Sequence, residues 1–305
     1  MGVICGLDIG GTKIAAMLVD DAGVIRARDV VAAPASKGGA AMVAAATALV
    51  SRLSDTVHDP LVAVGVGTAG VVDPDQGVIR AASATFVDWV GLPLGPELEA
   101  RLGVPTRVEN DVNAFLYGEV ASGAGGRDVL GLMLGTGVGG AIFLDGVPRQ
   151  GPRGAAGEIG HTPGYSEHVC SCGQVGHLET MASGTAIGLR YAERSGVTGL
   201  ASVEVAARAR AGDAHALATF AAAGRAVALA GATAAGLLDL DCVLVGGGVS
   251  GAWDLLEPAI LATLQTDSPV SGVQLRVERA RLGDRAVALG AVAAARSHLA
   301  RLEVV

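Results

Sequence analysis

The chain has 305 residues, enough for two domains of ordinary size, and a formal net charge of −8. Half of its residues are hydrophobic, only 3% are aromatic and 46 are glycines, so the predicted core consists of small aliphatic side chains with close backbone contacts. Lysines and arginines are scattered without a basic run, which argues against a nucleic-acid partner. A small anion can still bind through backbone N–H groups.

The start of the chain enters an apolar strand at once and lacks the basic and apolar regions of a secretory signal. The longest apolar run, 226–240, is rich in Ala and Gly and predicts a buried helix rather than a membrane span. Cys5 and Cys242 lie in apolar strand-like runs and are expected to be inert core thiols. The sequence therefore predicts a cytoplasmic protein with no membrane partner.

The predicted elements begin with a β-meander and continue as alternating helices and strands. In chain order they are strands at 3–9, 13–19 and from Val24, a helix over 38–53, a strand at 61–66, a helix over 94–102, a strand at 106–108, a helix over 111–122, and strands at 129–134 and 138–144. Residues 151–176 predict an irregular loop of a length that is usually functional or held by a metal. Beyond it the chain is helical apart from strands at 242–245 and 273–277, and a last helix covers 285–302.

A strand–turn–strand pattern occurs twice, with Gly and Thr in both turns. Thr12 and Thr136 are 124 residues apart (136 minus 12), and this repetition predicts two structurally related lobes. The expected boundary lies near 109–111. The first lobe would comprise 1–110, joined by the C-terminal helix at 285–305, and the second would comprise 111–284 with the irregular loop.

The first of these turns has the sequence Asp8-Ile9-Gly10-Gly11-Thr12-Lys13. Glycines allow a phosphate to approach the backbone, whose N–H groups can bind it together with the Thr12 hydroxyl. Asp8 could hold Mg²⁺ directly or through water. The pattern is not a Walker A loop, which ends in Gly-Lys-Ser/Thr before a helix. An ordinary tight hairpin is the alternative interpretation.

The second turn, Gly135-Thr136-Gly137, strengthens the phosphate interpretation because two matching turns in two lobes indicate a nucleotide held from both sides. Gly246, Gly247 and Gly248 follow a strand and would let adenine approach, although a simple strand-to-helix turn is the better explanation of this run taken alone. The run Gly65-x-Gly67-Thr68-Ala69-Gly70 lacks the following helix of a dinucleotide fingerprint and is better explained as a turn.

Polar residues mark candidate positions for a sugar. Asn110 and Asp111 end a strand and open a helix, where they can cap it. At a lobe junction, the Asp111 carboxylate could also take a proton from a sugar hydroxyl that Asn110 orients. Glu158, His161 and Glu179 are further candidates for bonding sugar hydroxyls, although isolated residues of these types are commonly surface groups.

Two histidines and two cysteines occur within 17 residues as His161-x8-Cys170-x-Cys172-x4-His177. Two thiolates and two imidazoles suit a closed tetrahedral zinc site, which leaves no open position for water and is therefore structural. The alternative is a pair of reduced thiols with two unrelated histidines. His168 is a nearby histidine outside the predicted set.

Together these segments resemble the ROK family of bacterial sugar kinases and regulators, and the resemblance covers essentially the whole chain. The likeness is carried by residues 8–13, 109–111, 135–137, 156–162 and 170–179. It implies an α/β fold of two actin-like (ribonuclease H-like) lobes with a nucleotide and sugar cleft between them. It also implies ATP as phosphoryl donor with Mg²⁺, a structural Zn²⁺, Asp111 as general base, and a homodimer or homotetramer.

One departure from the family pattern concerns the metal. The family usually has a third cysteine where this chain has His177. Histidine is a competent zinc ligand, so a Cys2His2 set is expected, with metal affinity and the position of Glu179 the properties that the change affects. His161 is expected to contact zinc through one ring nitrogen and the sugar through the other.

The resemblance leaves several functions open. DNA-binding repressors of the family carry a helix-turn-helix domain ahead of the kinase-like part, for which a phosphate motif starting at Asp8 leaves no room. A sensor without catalysis would be expected to lack the base or a phosphate motif, and Asp111 and both motifs are present. Glucose is the first expected substrate; N-acetylmannosamine, other N-acyl hexosamines, allose-like sugars and cyclitols are alternatives.

Overall fold

The computed structural model describes residues 2–83 and 85–302. The chain divides into two compact units. Unit 1 comprises Met1–Gly123, Gln150–Ala155 and Asp284–Val305, and unit 2 comprises Ala124–Arg149 and Ala156–Gly283. Residues 303–305 of the predicted C-terminal segment lie outside the described residues.

The N-terminal part of unit 1 contains seven strands and three helices. They are β1 (Val3–Ile9), β2 (Lys13–Asp20), β3 (Ile25–Ala32), α1 (Gly39–Ser54), β4 (Leu61–Thr68), β5 (Val71–Asp73), β6 (Val78–Ala81), α2 (Leu94–Leu102), β7 (Thr106–Asn110) and α3 (Asp111–Ala121). A 3-10 turn occupies Ala35–Lys37. The predicted elements of this part are present, with ends that coincide with the prediction or differ from it by one or two residues.

The main sheet of unit 1 has the order β3-β2-β1-β4-β7. β2 pairs antiparallel with β1 and β3, whereas β4 and β7 continue the sheet in parallel. The central strand β1 is almost wholly buried, as its continuous apolar sequence requires, and β3 alternates between half-buried and exposed residues as an edge strand does. β5 and β6 form a separate hairpin.

Unit 2 and the C-terminal segment supply the remaining elements. They are β8 (Val129–Leu134), β9 (Val138–Leu144), β10 (Val147–Pro148), α4 (Glu179–Ala182), α5 (Gly184–Ser195), α6 (Ser202–Arg210), α7 (Ala214–Leu238), β11 (Cys242–Gly246), α8 (Trp253–Thr266), β12 (Arg276–Arg279) and α9 (Ala286–Leu302). Short 3-10 turns occupy Ile159–His161 and Gly248–Ala252.

The sheet of unit 2 repeats the plan of unit 1. Its order is β10-β9-β8-β11-β12, with β9 antiparallel to β8 and β10, and β11 and β12 added in parallel. The first strand of each unit is thus central, its hairpin partner lies on one side, and two parallel strands lie on the other. This repetition confirms an α/β fold of two actin-like, ribonuclease H-like units.

Two glycines explain why α3 belongs to unit 1. A Cβ atom on Gly290 of α9 would overlap the backbone of Ala114 in α3, and one on Gly118 of α3 would overlap the backbone of Ala286. The two helices therefore pack backbone against backbone. Because of this contact the unit extends through α3 to Gly123, beyond the boundary predicted after residue 110, and α9 lies in the same unit.

Replacing Gly290 with alanine is expected to destabilise the protein by about 1–3 kcal/mol, because the added methyl group meets the rigid backbone of α3. The matched control is Gly236→Ala in α7, where a Cβ meets nothing within 4 Å. That change should stabilise by about 0.5–1 kcal/mol through helix propensity. Urea unfolding measures the free energy of unfolding of both variants. Equal values for Gly290→Ala and Gly236→Ala would contradict the close packing of α3 and α9.

Helix α7 is long and apolar enough to cross a membrane by length and composition. Core helices of soluble proteins pass the same test, and half of the most apolar window of α7 is buried. Gly224 of this helix lies against the backbone of Leu256 in α8, with space for no Cβ. Its alanine- and glycine-rich face thus contributes to the core of unit 2, as the low aromatic content predicts.

The strand predicted at 273–277 is displaced. β12 starts at Arg276, which pairs with Cys242 of β11. Leu275, just before the strand, is buried and packs with the hydrophobic core of unit 2. The alternating apolar residues that suggested a strand thus include one that fills the core ahead of it.

Candidate functional site

In unit 1, the candidate residues lie where three parallel strands end. Ile9 of β1 pairs with Thr68 of β4, and Thr68 pairs with Asn110 of β7. The Thr68 hydroxyl donates to the Ile9 carbonyl over 3.1 Å. The hairpin after β1 and the first residue of α3, Asp111, therefore leave the sheet at the same edge, where ligands of open α/β sheets commonly bind.

Asn110 caps α3 and contacts the Asp111 side chain. Its amide oxygen accepts hydrogen bonds from the backbone of Val112 (2.8 Å) and Asn113 (3.2 Å). Its amide nitrogen donates to the Gly70 carbonyl (2.9 Å) and to Asp111 Oδ1 (3.0 Å). These four bonds use the whole hydrogen-bonding capacity of the side chain. A sugar hydroxyl would therefore have to replace one of them.

The other half of this edge is the Asp8 hairpin. Asp8 is half-buried, and burial together with the negative charge of Asp111 raises its pKa to about 6, with Lys13 acting in the opposite direction. The hairpin is closed by a 3.0 Å bond from the Gly10 N–H to the Lys13 carbonyl. Thr12 and Lys13 are exposed at its tip. Two neighbouring carboxylates beside exposed turn groups suit a divalent cation with a phosphate.

Glu109 has a structural role, although it stands next to Asn110 and Asp111 in the sequence. Successive residues of a strand face opposite sides, and Glu109 is buried in an ion pair with Arg107 at 2.8 Å. Gln150 also donates to its carboxylate. Burial raises the pKa of Glu109, whereas Arg107 acts to lower it. The polar cluster predicted at 109–111 is thus divided between the interior and the candidate site.

In unit 2, the turn after β8 meets the first residues of α5. The Gly184 N–H donates to the Gly135 carbonyl over 2.7 Å, and the Thr185 hydroxyl donates to the Thr136 carbonyl over 2.9 Å. Ser183 caps α5 by accepting from the backbone of Ala186. The predicted phosphate turn is therefore held against the positive end of a helix dipole, which favours a bound anion.

A groove of about 790 Å³ opens beside this turn. It is lined by Gly135 and Thr136 of the turn, by Gly248 and Val249 after β11, and by residues of α5, α6 and their connection. The latter are Gly184, Thr185, Gly188, Leu189, Ala192 and 198–202. Sequence reasoning missed this last group, for which the only signal was Gly184 and Gly188 spaced one helical turn apart.

The three glycines at the end of β11 occupy three different environments. Gly247 has φ +82° and lies against the backbone of Leu134, so it shapes the strand-to-helix turn. Gly248 lines the groove, whereas Gly246 pairs with Met133 within the sheet. Gly247 therefore fits the strand-to-helix turn, and adenine binding near Gly248 stays a prediction.

The predicted zinc ligands come together in unit 2. The candidate ligand atoms of His161, Cys170, Cys172 and His177 all lie within 4.8 Å of one another. His161 follows Gly160, which packs against the Val138 carbonyl with no space for a Cβ. Both cysteines lie in a tight turn, residues 170–173, closed by the bond from the Gly173 N–H to the Cys170 carbonyl. His168 lies elsewhere and faces Glu193 at 3.7 Å.

The distances in this cluster fit a tetrahedral zinc ion. His161 Nδ1 is 3.6 Å from Cys170 Sγ, and His177 Nδ1 is 3.3 Å from Cys172 Sγ. Zinc–sulfur and zinc–nitrogen bonds of ordinary length place the sulfur and nitrogen atoms of a tetrahedron about 3.5 Å apart. Both cysteines are unpaired thiols in the structure, so the donor set and its spacing suit the metal.

His177 has a partner for its second ring nitrogen. The ring is 2% exposed, and Nε2 lies 3.1 Å from the amide oxygen of Gln174. An N–H at Nε2 that donates to Gln174 leaves the Nδ1 lone pair facing the other ligands. Outer partners of this kind fix the tautomer and orientation of a metal-binding histidine.

Replacing Gln174 with alanine is accordingly expected to weaken zinc binding about 10–100-fold, because the His177 ring loses its fixed tautomer. Competition with a chelator of known affinity measures the change. Gln174→Glu keeps an acceptor at this position and should retain most of the affinity. Equal zinc affinity in the alanine variant and the wild type would contradict this role.

The remaining candidates are Glu158 and Glu179. Glu158 is exposed immediately before the 3-10 turn that carries His161. Glu179 is half-buried at the start of α4, where its carboxylate accepts from the Val138 N–H (3.0 Å) and the Ser171 hydroxyl (2.5 Å). The structure thus brings Glu179 between the metal cluster and the turn that ends at Gly137.

The comparisons with known proteins agree with these features. The ROK family matches residues 4–298. The chain is 35% identical to a glucokinase of Streptomyces coelicolor over 85% of its own length and 86% of the relative. It is 32% identical to an N-acetylmannosamine kinase of Salmonella arizonae over 93% and 97% of the two chains.

A solved structure shares the fold as well. The ROK family glucokinase of Streptomyces griseus, in complex with glucose and AMPPNP, matches with a TM-score of 0.81 and 34% identity over 97% of this chain and all of that one. The sequence resemblance is thereby confirmed over nearly the full length. The chain belongs to the ROK family.

Proposed function

We propose that this chain, an ATP-dependent sugar kinase, transfers the γ-phosphoryl group of ATP to glucose and forms glucose 6-phosphate. The observation that carries the proposal is that β1 and β7 end at the same edge of the sheet and bring Asp8 near Asp111, where burial and the negative charge of Asp111 raise the Asp8 pKa to about 6. The similarity to glucokinases, one of them in complex with glucose and AMPPNP, supports glucose as the substrate.

The nucleotide is assigned to the two glycine–threonine turns. In unit 1, Gly10, Gly11, Thr12 and Lys13 would bind phosphate oxygens, and Asp8 would hold the Mg²⁺ ion that neutralises them. In unit 2, the phosphates would contact Gly135, Thr136 and Gly137, and the groove lined by Gly248 and the α5–α6 connection would take the nucleoside. The volume of the groove, about 790 Å³, is in the usual range for ligand pockets.

The sugar is assigned to Asn110, Asp111, Glu158, His161 and Glu179. Asp111 would accept the proton of the attacking hydroxyl as the hydroxyl oxygen bonds to the γ-phosphorus and ADP leaves. Asn110 holds the Asp111 carboxylate by the bond described above. Phosphoryl transfer depends mainly on positioning and charge stabilisation. The main contribution of Asn110 would therefore be to fix the Asp111 carboxylate beside the attacking hydroxyl.

The metal is assigned a structural role. His161, Cys170, Cys172 and His177 would hold Zn²⁺, which supplies no open coordination position and serves to fix the loop. The ligand nitrogen of His161 would be Nδ1, the atom that faces Cys170. Its Nε2 would then be the nitrogen for a sugar hydroxyl, so that the metal orients a sugar-binding ring.

An N-acetylmannosamine kinase is the second candidate, because a relative of that name is 32% identical over nearly the whole chain. Other N-acyl hexosamines or a cyclitol are further possibilities of the same chemistry, and a sugar sensor would bind without turnover. By family resemblance we also propose a cytoplasmic homodimer or homotetramer.

Steady-state kinetics with glucose and with N-acetylmannosamine separate the two substrate proposals. We expect kcat/KM for glucose to exceed that for N-acetylmannosamine by at least 10-fold, which corresponds to about 1.4 kcal/mol of transition-state binding. The reverse order would assign the chain to the N-acyl sugars. Binding of either sugar without ADP release would favour the sensor.

A further inference from the structure

The carboxylate of Glu179 connects two parts of unit 2 that the proposed function treats separately. Its Oε1 accepts from the Ser171 hydroxyl at 2.5 Å and lies 3.6 Å from Cys170 Sγ. Its Oε2 accepts from the Val138 N–H at 3.0 Å. Val138 is the first residue of β9 and directly follows the turn at 135–137. One side chain therefore contacts both the metal loop and the phosphate turn.

The contact on the turn is close. A Cβ atom on Gly137 would overlap Glu179 Oε2, so the carboxylate lies directly against the turn and a side chain at position 137 would displace it. Released from Val138, the carboxylate would remain beside the phosphate turn as a mobile negative charge, which disfavours a bound phosphate.

The contact on the metal loop depends on the ion. Ser171 is exposed and stands between two ligands, Cys170 and Cys172. A bound metal fixes both neighbours of Ser171 and with them the direction of its hydroxyl. Without the metal, backbone bonds such as the one from the Gly173 N–H to the Cys170 carbonyl still close the turn, but the exposed Ser171 hydroxyl loses the fixed neighbours that direct it to Glu179.

We propose that Ser171 is a positioning residue through which zinc binding favours nucleotide binding: the metal fixes Ser171, Ser171 holds Glu179, and Glu179 holds the 135–137 turn in its phosphate-binding form. This inference rests on the proposed function for both ligands. It adds a coupling between them that neither site has by itself. Coupling between two binding sites is reciprocal, so Mg-ADP must strengthen zinc binding by the same factor.

The experiment measures zinc affinity at a free zinc concentration set by a chelator buffer, with and without saturating Mg-ADP at constant Mg²⁺. For the wild type we expect Mg-ADP to tighten zinc binding about 5–10-fold, at the lower end of typical coupling. In Ser171→Ala both zinc and Mg-ADP should still bind, and the ratio of zinc affinities with and without Mg-ADP should fall to about 1. Ser171→Thr keeps the hydroxyl and should restore it.

Ser166→Ala is the matched control, because the Ser166 hydroxyl lies in the same loop and bonds to Thr180 at 2.7 Å rather than to Glu179. It should retain the full factor. Provided that zinc and Mg-ADP both bind, either of two results would overturn the inference. One is a wild-type zinc affinity that is the same with and without Mg-ADP, and the other is full coupling in Ser171→Ala. Absence of zinc or of Mg-ADP binding in the wild type would overturn it too, and would show instead that the assigned ligand itself is wrong.

Discussion

Asp111→Asn is expected to lower kcat about 10²–10⁴-fold, the usual contribution of a general base. The asparagine keeps an oxygen for the Val112 N–H, which Asp111 Oδ1 now binds at 2.9 Å, so α3 should retain its first turn. What the variant loses is the ability to take a proton from the attacking hydroxyl. Glucose and nucleotide affinities should change little, and kcat measured by ADP release, with dissociation constants from calorimetry, checks both parts.

The control for this prediction is Asp21→Asn, which removes an exposed carboxylate in the turn after β2. It should leave kcat within about twofold, as expected for a surface substitution away from the site. A kcat near the wild-type value in Asp111→Asn would remove Asp111 from the catalytic role. Loss of ligand binding in that variant would instead assign the residue to binding.

Cys170→Ala should abolish stoichiometric zinc. We expect about one zinc per chain in the wild type and less than about one tenth of that in the variant, because a site left with three ligands binds far more weakly and loses the energy that orders the loop. Cys170 is 4% exposed, so its removal also leaves space in the loop, and the melting temperature should fall by several degrees. Metal analysis by mass spectrometry and thermal unfolding measure the two effects.

Cys242→Ala is the matched control, since Cys242 is also buried in unit 2 but lies in β11. Burial raises the pKa of this thiol to about 11, and the thiol is not among the clustered candidate ligands. The control should keep its zinc. A wild-type protein purified without chelators that contains no metal, or a Cys170→Ala variant with full occupancy, would contradict the assignment.

Local sequence patterns predicted most of the elements because their periodicity and turn residues are strong. β8 and β9 have the predicted ends, and the glycine-rich turn between them follows from the sequence alone. The repeated strand order of the two units followed from two short matching turns. The clustering of the four candidate metal ligands was predicted from their short spacing, because residues close in sequence can surround one ion within a single loop.

What the sequence could not predict depends on contacts between distant segments. The grouping of α3 with α9 arises where Gly118 and Gly290 let two helices touch, and a helical glycine does not by itself indicate which segment packs against it. The part of the groove formed by α5, α6 and their connection is lined by residues that carry no charge and belong to no motif. The bond between Ser171 and Glu179 joins residues eight positions apart across a turn that backbone hydrogen bonds close.

The measurement that tests the central claim most directly is ADP release by zinc-replete protein with Mg-ATP and glucose, mannose, fructose, allose, N-acetylglucosamine or N-acetylmannosamine. We predict sugar-dependent release that is fastest with glucose, with glucose 6-phosphate as the product. ADP release that no sugar raises above the rate with ATP alone would contradict a hexose kinase.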